Sequence, residues 1–242
     1  MGAQLAREAG AIAMRYRGGD LRVEHKAGDE PVTVADYAAS EHVVAGLRAA
    51  FGDDVVVSEE LPDDERRRTA RRVWFVDPID GTKDFIAGRE GFAVMIGLAL
   101  DGAPVAGIVY QPVGDRMFCG SPEAAWVSEG GGERRALRCS DAADIETLRT
   151  RAPKLASIGL KLAAIAGDHF DIYVNPKMRL KTWDTCAPGA ILTGAGGKLT
   201  DVDGAPLRYG DTTNSHRRGI VATNGPAHAA AIAKLAPILS PR

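Results

Sequence analysis

Residues 77–82, Asp-Pro-Ile-Asp-Gly-Thr, constrain the fold of this chain more than any other stretch. They directly follow residues 73–76 (Val-Trp-Phe-Val), an apolar run that predicts a buried β-strand. Such a strand delivers two carboxylates, Asp77 and Asp80, to its C-terminal end, where the proline is expected to stop the ladder and Asp-Gly to force a turn. Two carboxylates on a rigid turn suit Mg²⁺, which takes oxygen ligands in octahedral geometry. The alternative is that Asp-Pro and Asp-Gly are ordinary turn dipeptides that close a strand.

The composition excludes several classes of function. With 242 residues, of which 45% are apolar and 26% charged, the chain is typical of a soluble globular protein with one large domain or two small ones. Its net charge of −2 gives no field that favours a nucleic acid polymer or an anionic membrane as a partner. Three cysteines far apart argue against a disulfide framework or a zinc site and fit a reducing cytosol. No segment has the apolar length of a membrane span or the core of a secretory signal, so a cytoplasmic location is expected.

Periodicity divides the chain into two parts. The first is expected to form an antiparallel-rich sheet, because strands over 91–100 and 104–111 meet at Asp101-Gly102, a strong hairpin signal. The other elements predicted there are helices over 4–16 and 34–50, strands around 21–25 and over 53–58, and short strands to about 137 with a glycine turn at 130–132.

From about residue 158 the pattern alternates between helix and strand. The predicted order is a helix over 160–166, a strand over 170–174, a helix that includes 188–193, a strand over 198–202 and a terminal helix over 227–235. The expected organisation is therefore an α+β part, residues 1–137, joined to an α/β part, residues 138–242.

Acidic residues follow predicted strands or begin predicted helices at four places. These places are Asp36, Glu59-Glu60, the pair within residues 77–82, and Asp184. Taken singly, Asp36 and Asp184 are typical helix N-caps, and the two glutamates are a solvated loop start. Taken together they favour one site, because strand-end carboxylates in an α/β arrangement tend to converge on one crevice.

These motifs, in this order, resemble a known family. They are Asp36, Glu59-Glu60, residues 77–82 and Trp183-Asp184, and they span nearly the whole chain. The resemblance is to the lithium-sensitive, Mg²⁺-dependent phosphomonoesterases: inositol monophosphatases, fructose-1,6-bisphosphatases and 3'(2'),5'-bisphosphate nucleotidases. It implies a layered αβαβα sandwich, with most metal ligands in the first part and Asp184 and the substrate contacts in the second. It also implies a small phosphorylated substrate, and it allows a homodimer.

The resemblance assigns a role to each acidic motif residue. Glu59 and Asp77 would bind a first metal together with the carbonyl of Ile79, and Asp77 would bridge to a second metal held by Asp80 and Asp184. Two or three Mg²⁺ ions are expected per site. Such ions neutralise a phosphate dianion, acidify a water and stabilise the departing oxygen, so metal-assisted hydrolysis needs no covalent phosphoenzyme.

The remaining roles concern the phosphate and the water. The amides of Gly81 and Thr82, at the start of the next helix, would hold phosphate oxygens, as helix N-termini hold anions. The Thr82 hydroxyl, oriented by Asp36, would position the attacking water, which makes Asp36, Thr82 and Glu59 the expected catalytic residues. Glu60 would support the ligands without binding the metal.

The substrate is suggested by cations near the motifs. Lys83 and residues 183–188 (Trp-Asp-Thr-Cys-Ala-Pro) resemble the bisphosphate nucleotidases, whose substrate is 3'-phosphoadenosine 5'-phosphate. Lys177, Arg179 and Lys181 would bind the second phosphate of that substrate, or they mark the solvent face of a strand or loop. The alternatives are hydrolysis of inositol monophosphate or a sugar phosphate, and a non-catalytic phosphate-binding protein, for which the sequence lacks the expected loss of a ligand or of Thr82.

The chain departs from the family at one place. Between Asp141 and Ile158 the family carries a longer stretch, of which Thr150-Arg151 resembles the start and residues 157–161 the resumption. Either the protein has a deletion there or the numbered chain leaves out a loop. Because that stretch borders the substrate pocket in the family, it bears on the substrate and not on metal ligation.

Overall fold

A computed structural model describes residues 1–19, 21–26, 30–177, 180–210 and 213–239. The helices in these ranges are α1 (Gly2–Tyr16), α2 (Val34–Phe51), α3 (Thr82–Ile86), α4 (Ile158–Ala166), α5 (Thr182–Gly194) and α6 (His228–Leu239). The strands are β1 (Glu24–His25), β2 (Pro31–Val32), β3 (Val55–Ser58), β4 (Arg72–Asp80), β5 (Ala93–Leu100), β6 (Ala103–Gln111), β7 (Arg116–Ser121), β8 (Ala124–Glu129), β9 (Arg135–Ala136), β10 (Ile172–Asn175), β11 (Lys198–Thr200) and β12 (Ile220–Thr223). None of the described helices has both the length and the apolarity to cross a membrane.

The helices and two larger sheets are stacked in layers. A seven-stranded sheet has the order β3-β4-β5-β6-β7-β8-β9, in which β3 and β4 are parallel and all other neighbours antiparallel. Helices α1 and α2 contact this sheet and form one apolar cluster with it, whereas α4 and α5 contribute to a different cluster. Helices α4 and α5 also contact the small sheet β10-β12-β11, and α6 packs on β12. This arrangement confirms the predicted αβαβα sandwich.

Strand β4 is covered on both faces, which explains why its sequence is continuously apolar. Trp74 and Val76 belong to the cluster with α1 and α2, while Val73 and Phe75 face a second cluster that includes Cys186 of α5. The division of the chain at residue 137 stays a prediction. The cluster around α4 and α5 takes residues from both sides of that position.

Helix α5 lies directly on glycines of the large sheet. A Cβ at Gly107 of β6 would stand 2.0 Å from the Ala187 carbonyl oxygen, and one at Gly97 of β5 would stand 2.6 Å from the Ala187 nitrogen. Both distances are too short for any side chain, so the close approach of α5 requires glycine. This approach fixes the first turn of α5, where Asp184 lies.

Most predicted elements are present, with several differences. Helix α2 begins at the predicted residue and ends one residue later, and the Asp101-Gly102 hairpin is confirmed with φ of 49° and 78°. The strand predicted over 21–25 is only β1, two residues long, and its partner β2 was not predicted. Strand β12 was also missed, although residues 220–223 (Ile-Val-Ala-Thr) are a short apolar run after a glycine. The alternating C-terminal elements form an antiparallel sheet rather than a parallel one.

The strand before the acidic motif is longer than predicted. Strand β4 continues through Pro78 to Asp80, which pairs with Ala93 after an irregularity in the register between Asp77 and Asp80. The expectation that Pro78 stops the ladder is therefore wrong. A bulge leaves residues unpaired, and a proline, which lacks an N–H, is tolerated there. The predicted turn follows at Gly81, with φ of 94°, directly before α3.

Candidate active site

The four carboxylates expected to bind metal come from three parts of the chain and line one cavity of about 200 Å³, together with Glu30. They belong to Glu59, Asp77, Asp80 and Asp184, the residues expected to bind metal. The other residues of the cavity wall are Glu30, Pro31, Ile79, Gly81, Thr82, Lys83, Ala156, Lys181 and Trp183. The structure thus brings every residue predicted to bind metal, Ile79 included, to the wall of one cavity.

Neighbouring elements explain this convergence. Strands β3 and β4 are parallel, so their carboxyl ends lie at the same edge of the sheet. Glu59 directly follows β3, and its backbone N–H donates to the Val76 carbonyl of β4 at 3.1 Å. Asp77 and Asp80 lie at the end of β4, and Asp184 is delivered by the first turn of α5.

The electrostatics of the cavity favour a cation. Burial raises the pKa of Asp77 well above its ordinary value, and the negative charges of Glu59, Asp80 and Asp184 raise it further. The pKa of Asp184 is also raised well above its ordinary value, first by burial and then by the negative charges of Glu59 and Asp80. A donor set made only of oxygen atoms with excess negative charge suits a hard divalent ion such as Mg²⁺.

The chain's own donors hold these carboxylates in the structure. The Ile79 N–H donates to Asp77 Oδ1 at 3.0 Å, and the Lys181 N–H donates to Asp184 Oδ2 at 2.6 Å. Within the described ranges, no three His, Cys, Asp or Glu side chains are arranged as a ready metal cage. The residues fit a divalent ion by donor type and charge, and each carboxylate keeps acceptor capacity beyond the bonds it already accepts.

Lys26 binds both glutamates of the Glu59-Glu60 pair. Its Nζ lies 3.0 Å from Glu59 Oε1 and 2.6 Å from Glu60 Oε1. Burial opposes the charged lysine, but the two carboxylates outweigh that effect and raise the pKa of Lys26. Glu60 does not line the cavity, in keeping with its expected supporting position. Lys26 was not predicted, because a single lysine in a polar turn carries no pattern that points to a site.

Asp36 and Thr82 do not share the expected hydrogen bond. Asp36 Oδ2 accepts from the Thr33 N–H at 2.8 Å and from the Thr33 hydroxyl at 2.6 Å, which is the capping arrangement of α2. The Thr82 hydroxyl donates instead to the Ile79 carbonyl at 3.0 Å. Asp36 is buried outside the cavity wall. The N-cap of α2 is therefore Thr33, and Asp36 is the third helical residue of the same capping box rather than the N-cap itself. The structure shows no hydrogen bond from Asp36 to Thr82 among the described residues, contrary to the expectation that Asp36 orients Thr82.

The turn after β4 presents its backbone to the cavity. Gly81 has φ of 94°, and a Cβ there would stand 2.6 Å from the Gly91 carbonyl oxygen, so this position needs glycine. Thr82 is the first residue of α3. Gly81 and Thr82 both line the cavity, where they were predicted to bind phosphate.

The predicted substrate cations separate into two groups. Lys181 and Lys83 line the cavity, and Lys181 Nζ contacts Ser215 Oγ at 3.1 Å. Lys177 is exposed and is not part of the cavity wall. Arg179 lies outside the described residues.

A contact between Asp80 and the start of helix α4 was not predicted from the sequence. Asp80 accepts hydrogen bonds from the Ser157 hydroxyl, from the Ile158 N–H at 3.1 Å and from the Gly159 N–H at 2.7 Å. Burial raises the pKa of Asp80 to about 6, and these hydrogen bonds oppose that rise. The sequence signal was a serine three residues before the helix predicted over 160–166, and a serine near a helix start is typical of an N-cap and does not indicate a partner 77 residues away.

Comparisons with known proteins identify the family of this chain. The model of the inositol monophosphatase family matches residues 1–147 and 122–240. The 3'(2'),5'-bisphosphate nucleotidase CysQ of Escherichia coli (strain K12) is 37% identical over 228 residues, which cover 85% of this chain and 91% of that protein. The 3'-phosphoadenosine 5'-phosphate phosphatase of Mycobacterium leprae is 30% identical over 231 residues, with coverages of 86% and 83%.

A solved structure shows the same fold. The IMPase of Thermotoga maritima superposes with a TM-score of 0.78 and 23% identity, and the match covers 98% of this chain and 97% of that one. The family model and the relatives identify the same family as the ordered acidic motifs. The residues that those motifs predicted to bind metal line one cavity. The chain belongs to the inositol monophosphatase family.

Proposed function

We propose that this chain is a Mg²⁺-dependent phosphomonoesterase that removes the 3'-phosphate of 3'-phosphoadenosine 5'-phosphate. The observation that carries the proposal is the convergence on one cavity, beside a glycine turn, of the four carboxylates predicted to bind metal, which lie directly after β3, at the end of β4 and in the first turn of α5. The relatives named as bisphosphate nucleotidase and as 3'-phosphoadenosine 5'-phosphate phosphatase support this substrate.

The proposed metal ligands are five groups of the cavity wall. Two or three Mg²⁺ ions would be held by Glu59, Asp77, the Ile79 carbonyl, Asp80 and Asp184. When bound, such ions neutralise the phosphate dianion, lower the pKa of a water and stabilise the leaving oxygen. The chain fixes the positions of these ligands, because their backbones belong to β4, to the end of β3 and to α5, which packs directly on glycines of the sheet.

The glycine turn would hold the phosphate. Gly81 and Thr82 both line the cavity, and their amides are proposed to donate to phosphate oxygens. The Thr82 hydroxyl, held by the Ile79 carbonyl at 3.0 Å, is proposed to position the attacking water. Glu59, which is held in turn by Lys26, is proposed to share this role. Asp36 would contribute by capping α2 and not by touching the water.

The cations of the cavity wall support a substrate with two phosphates. Among the described residues, neither Lys83 nor Lys181 forms an ion pair, so both charges are available to a ligand. A second phosphate would benefit from such a charge, whereas inositol monophosphate has only hydroxyls to offer there. Because Lys177 lies outside the cavity wall, this role falls on Lys181.

The test is phosphate release from a substrate panel. Purified protein with Mg²⁺ is assayed on 3'-phosphoadenosine 5'-phosphate, inositol 1-phosphate and fructose 1,6-bisphosphate, with Asp80→Asn as the inactive control. We expect the highest kcat/KM on the nucleotide, and we expect Lys181→Met to raise KM for the nucleotide more than for inositol 1-phosphate. A preference for inositol 1-phosphate would overturn the substrate. Equal, negligible hydrolysis by wild type and Asp80→Asn on every substrate would instead indicate a non-catalytic phosphate-binding protein.

We also propose that the enzyme works in the cytoplasm. Its three cysteines are all free thiols, which suits a reducing compartment. Assembly as a homodimer stays a prediction from the family resemblance.

A further inference from the structure

Ser157 joins the start of helix α4 to Asp80, a predicted metal ligand. Its hydroxyl accepts a hydrogen bond from the Leu160 N–H at 2.9 Å, which caps the helix, and donates to Asp80 Oδ2. Ser157 is fully buried, so water does not compete for either bond. One hydroxyl therefore connects the helix start to the catalytic motif.

The two oxygens of Asp80 are bound unequally. Oδ2 accepts from both the Ser157 hydroxyl and the Gly159 N–H, the latter at 2.7 Å. Within the described residues, Oδ1 accepts one hydrogen bond, from the Ile158 N–H at 3.1 Å. Since each carboxylate oxygen offers about two lone-pair sites, Oδ2 is filled and Oδ1 keeps one free. Oδ1 is therefore the oxygen with acceptor capacity left for a ligand.

The segment that carries Ser157 has little freedom to move. The Ala156 N–H donates to Asp84 Oδ2 at 2.7 Å, and the Ser157 N–H donates to the Gly91 carbonyl at 3.1 Å. On the other side, a Cβ at Gly159 would stand 2.3 Å from Met95 Sδ, so the helix start is pressed against the sheet. A hydroxyl in such a fixed frame can hold a carboxylate in one rotamer.

We propose that Ser157 is a positioning residue, which turns Asp80 so that Oδ1 is presented to the divalent cation. This inference rests on the proposed function for the nature of the ligand, and it adds a residue outside the motifs. Partners that orient metal ligands typically contribute about 10–100-fold in metal affinity.

The test compares two substitutions that differ in the hydroxyl. Glycine and threonine serve about equally well as N-caps, so Ser157→Gly removes the hydroxyl and Ser157→Thr keeps it while both allow the helix to start. Binding of Mn²⁺ to the full chain without substrate is measured by electron paramagnetic resonance, alongside the melting temperature. We expect Ser157→Gly to weaken the affinity of at least one Mn²⁺ by about 10-fold or more, and Ser157→Thr to restore it.

A matched control separates positioning from stability. Ser140 donates to Asp171 Oδ1 at 2.7 Å, so Ser140→Ala removes a similar serine–aspartate bond outside the cavity wall. It should lower the melting temperature without changing Mn²⁺ affinity. Wild-type Mn²⁺ affinity in Ser157→Gly would overturn the positioning role, as would an equal loss of affinity in Ser140→Ala. Failure of the proposed function shows separately, as a wild type that binds Mn²⁺ and hydrolyses none of the phosphate esters.

Discussion

Lys26 Nζ binds Glu60 Oε1 at 2.6 Å, and it reaches Glu59, a predicted metal ligand, at 3.0 Å. The Glu60 side chain is only 3% exposed and the Lys26 side chain 25%. One cation therefore supports a carboxylate that has little access to water and orients the neighbouring carboxylate at the cavity. Loss of this cation should therefore lower the free energy of unfolding even when no ion or substrate is bound.

Replacement of Lys26 by Met should destabilise the protein. Removing one partner of a largely buried ion pair leaves an uncompensated charge, and we expect a loss of about 3 kcal/mol in the free energy of unfolding. The measurement is urea denaturation at neutral pH with a chelator present. The Lys26→Met/Glu60→Gln double variant should recover part of that loss, because it removes the isolated charge. Strictly additive losses in the two single variants and the double variant would contradict the pairing.

Replacement of Thr82 by Ala should lower turnover and leave metal binding intact. The hydroxyl lies at the cavity wall and is held by the Ile79 carbonyl, whereas the metal ligands are other residues. Groups that assist proton transfer contribute roughly 10²-fold or more, so a fall of this order in kcat is expected. Thr82→Ser keeps the hydroxyl and should retain most of the activity. Unchanged turnover in Thr82→Ala would refute the assigned role.

Lithium should inhibit hydrolysis. Li⁺ can occupy a small oxygen-lined site, but it supplies one positive charge instead of two. The clustered carboxylates, whose negative charges raise the pKa of Asp77, would then be only partly neutralised. A phosphate dianion would still be repelled, so hydrolysis should slow. Phosphate release at fixed Mg²⁺ is measured over rising LiCl, with NaCl at the same ionic strength as the control. Activity that responds equally to the two salts would count against the assignment of the cavity as a Mg²⁺ site.

Asp171 should make the stability of the fold sensitive to acid. The Arg149 guanidinium and N–H, together with the Ser140 hydroxyl, lower the pKa of Asp171 from 3.8 to about 2. A carboxylate with a depressed folded-state pKa stabilises the protein above its unfolded pKa. That contribution is lost as the pH falls through the window between about 4 and 2.

Urea denaturation as a function of pH tests this linkage. Wild type should lose stability progressively below about pH 4, and Asp171→Asn should be less stable at neutral pH but change less between pH 4 and 2. Two parallel stability curves over this window would show that Asp171 does not carry the effect.

Local patterns in the sequence predicted much of the fold. The bounds of α2, the hairpin at Asp101-Gly102 and the turn at Gly81 depend on periodicity and on glycine conformations that act over a few residues. The ordered acidic motifs also predicted which carboxylates meet, because parallel strand ends share one edge of a sheet. These features could be predicted because their physical causes lie in residue types and in spacing along the chain.

Contacts between distant segments could not be predicted in this way. The pairing of Asp80 with Ala93 carries β4 through a proline that otherwise ends a ladder. Short strands such as β1 and β2 exist through their mutual pairing and have too few residues for a periodic signal. Their formation depends on partners that only the folded chain supplies.

The sequence by itself determined which chemical groups the site contains: four carboxylates predicted to bind metal, a glycine turn and a threonine. Their order along the chain is the order of the motifs in the family. The tertiary structure decided how each group is held. In the folded chain, Asp36 accepts hydrogen bonds from Thr33 in the capping box of α2. Lys26 lies between the two glutamates, and the start of α4 donates hydrogen bonds to Asp80. The physical reason is that residue types and spacing fix which atoms can coordinate or donate. The hydrogen bonds from Lys26 to Glu59 and from the start of α4 to Asp80, in contrast, join residues tens of positions apart, which only packing brings close.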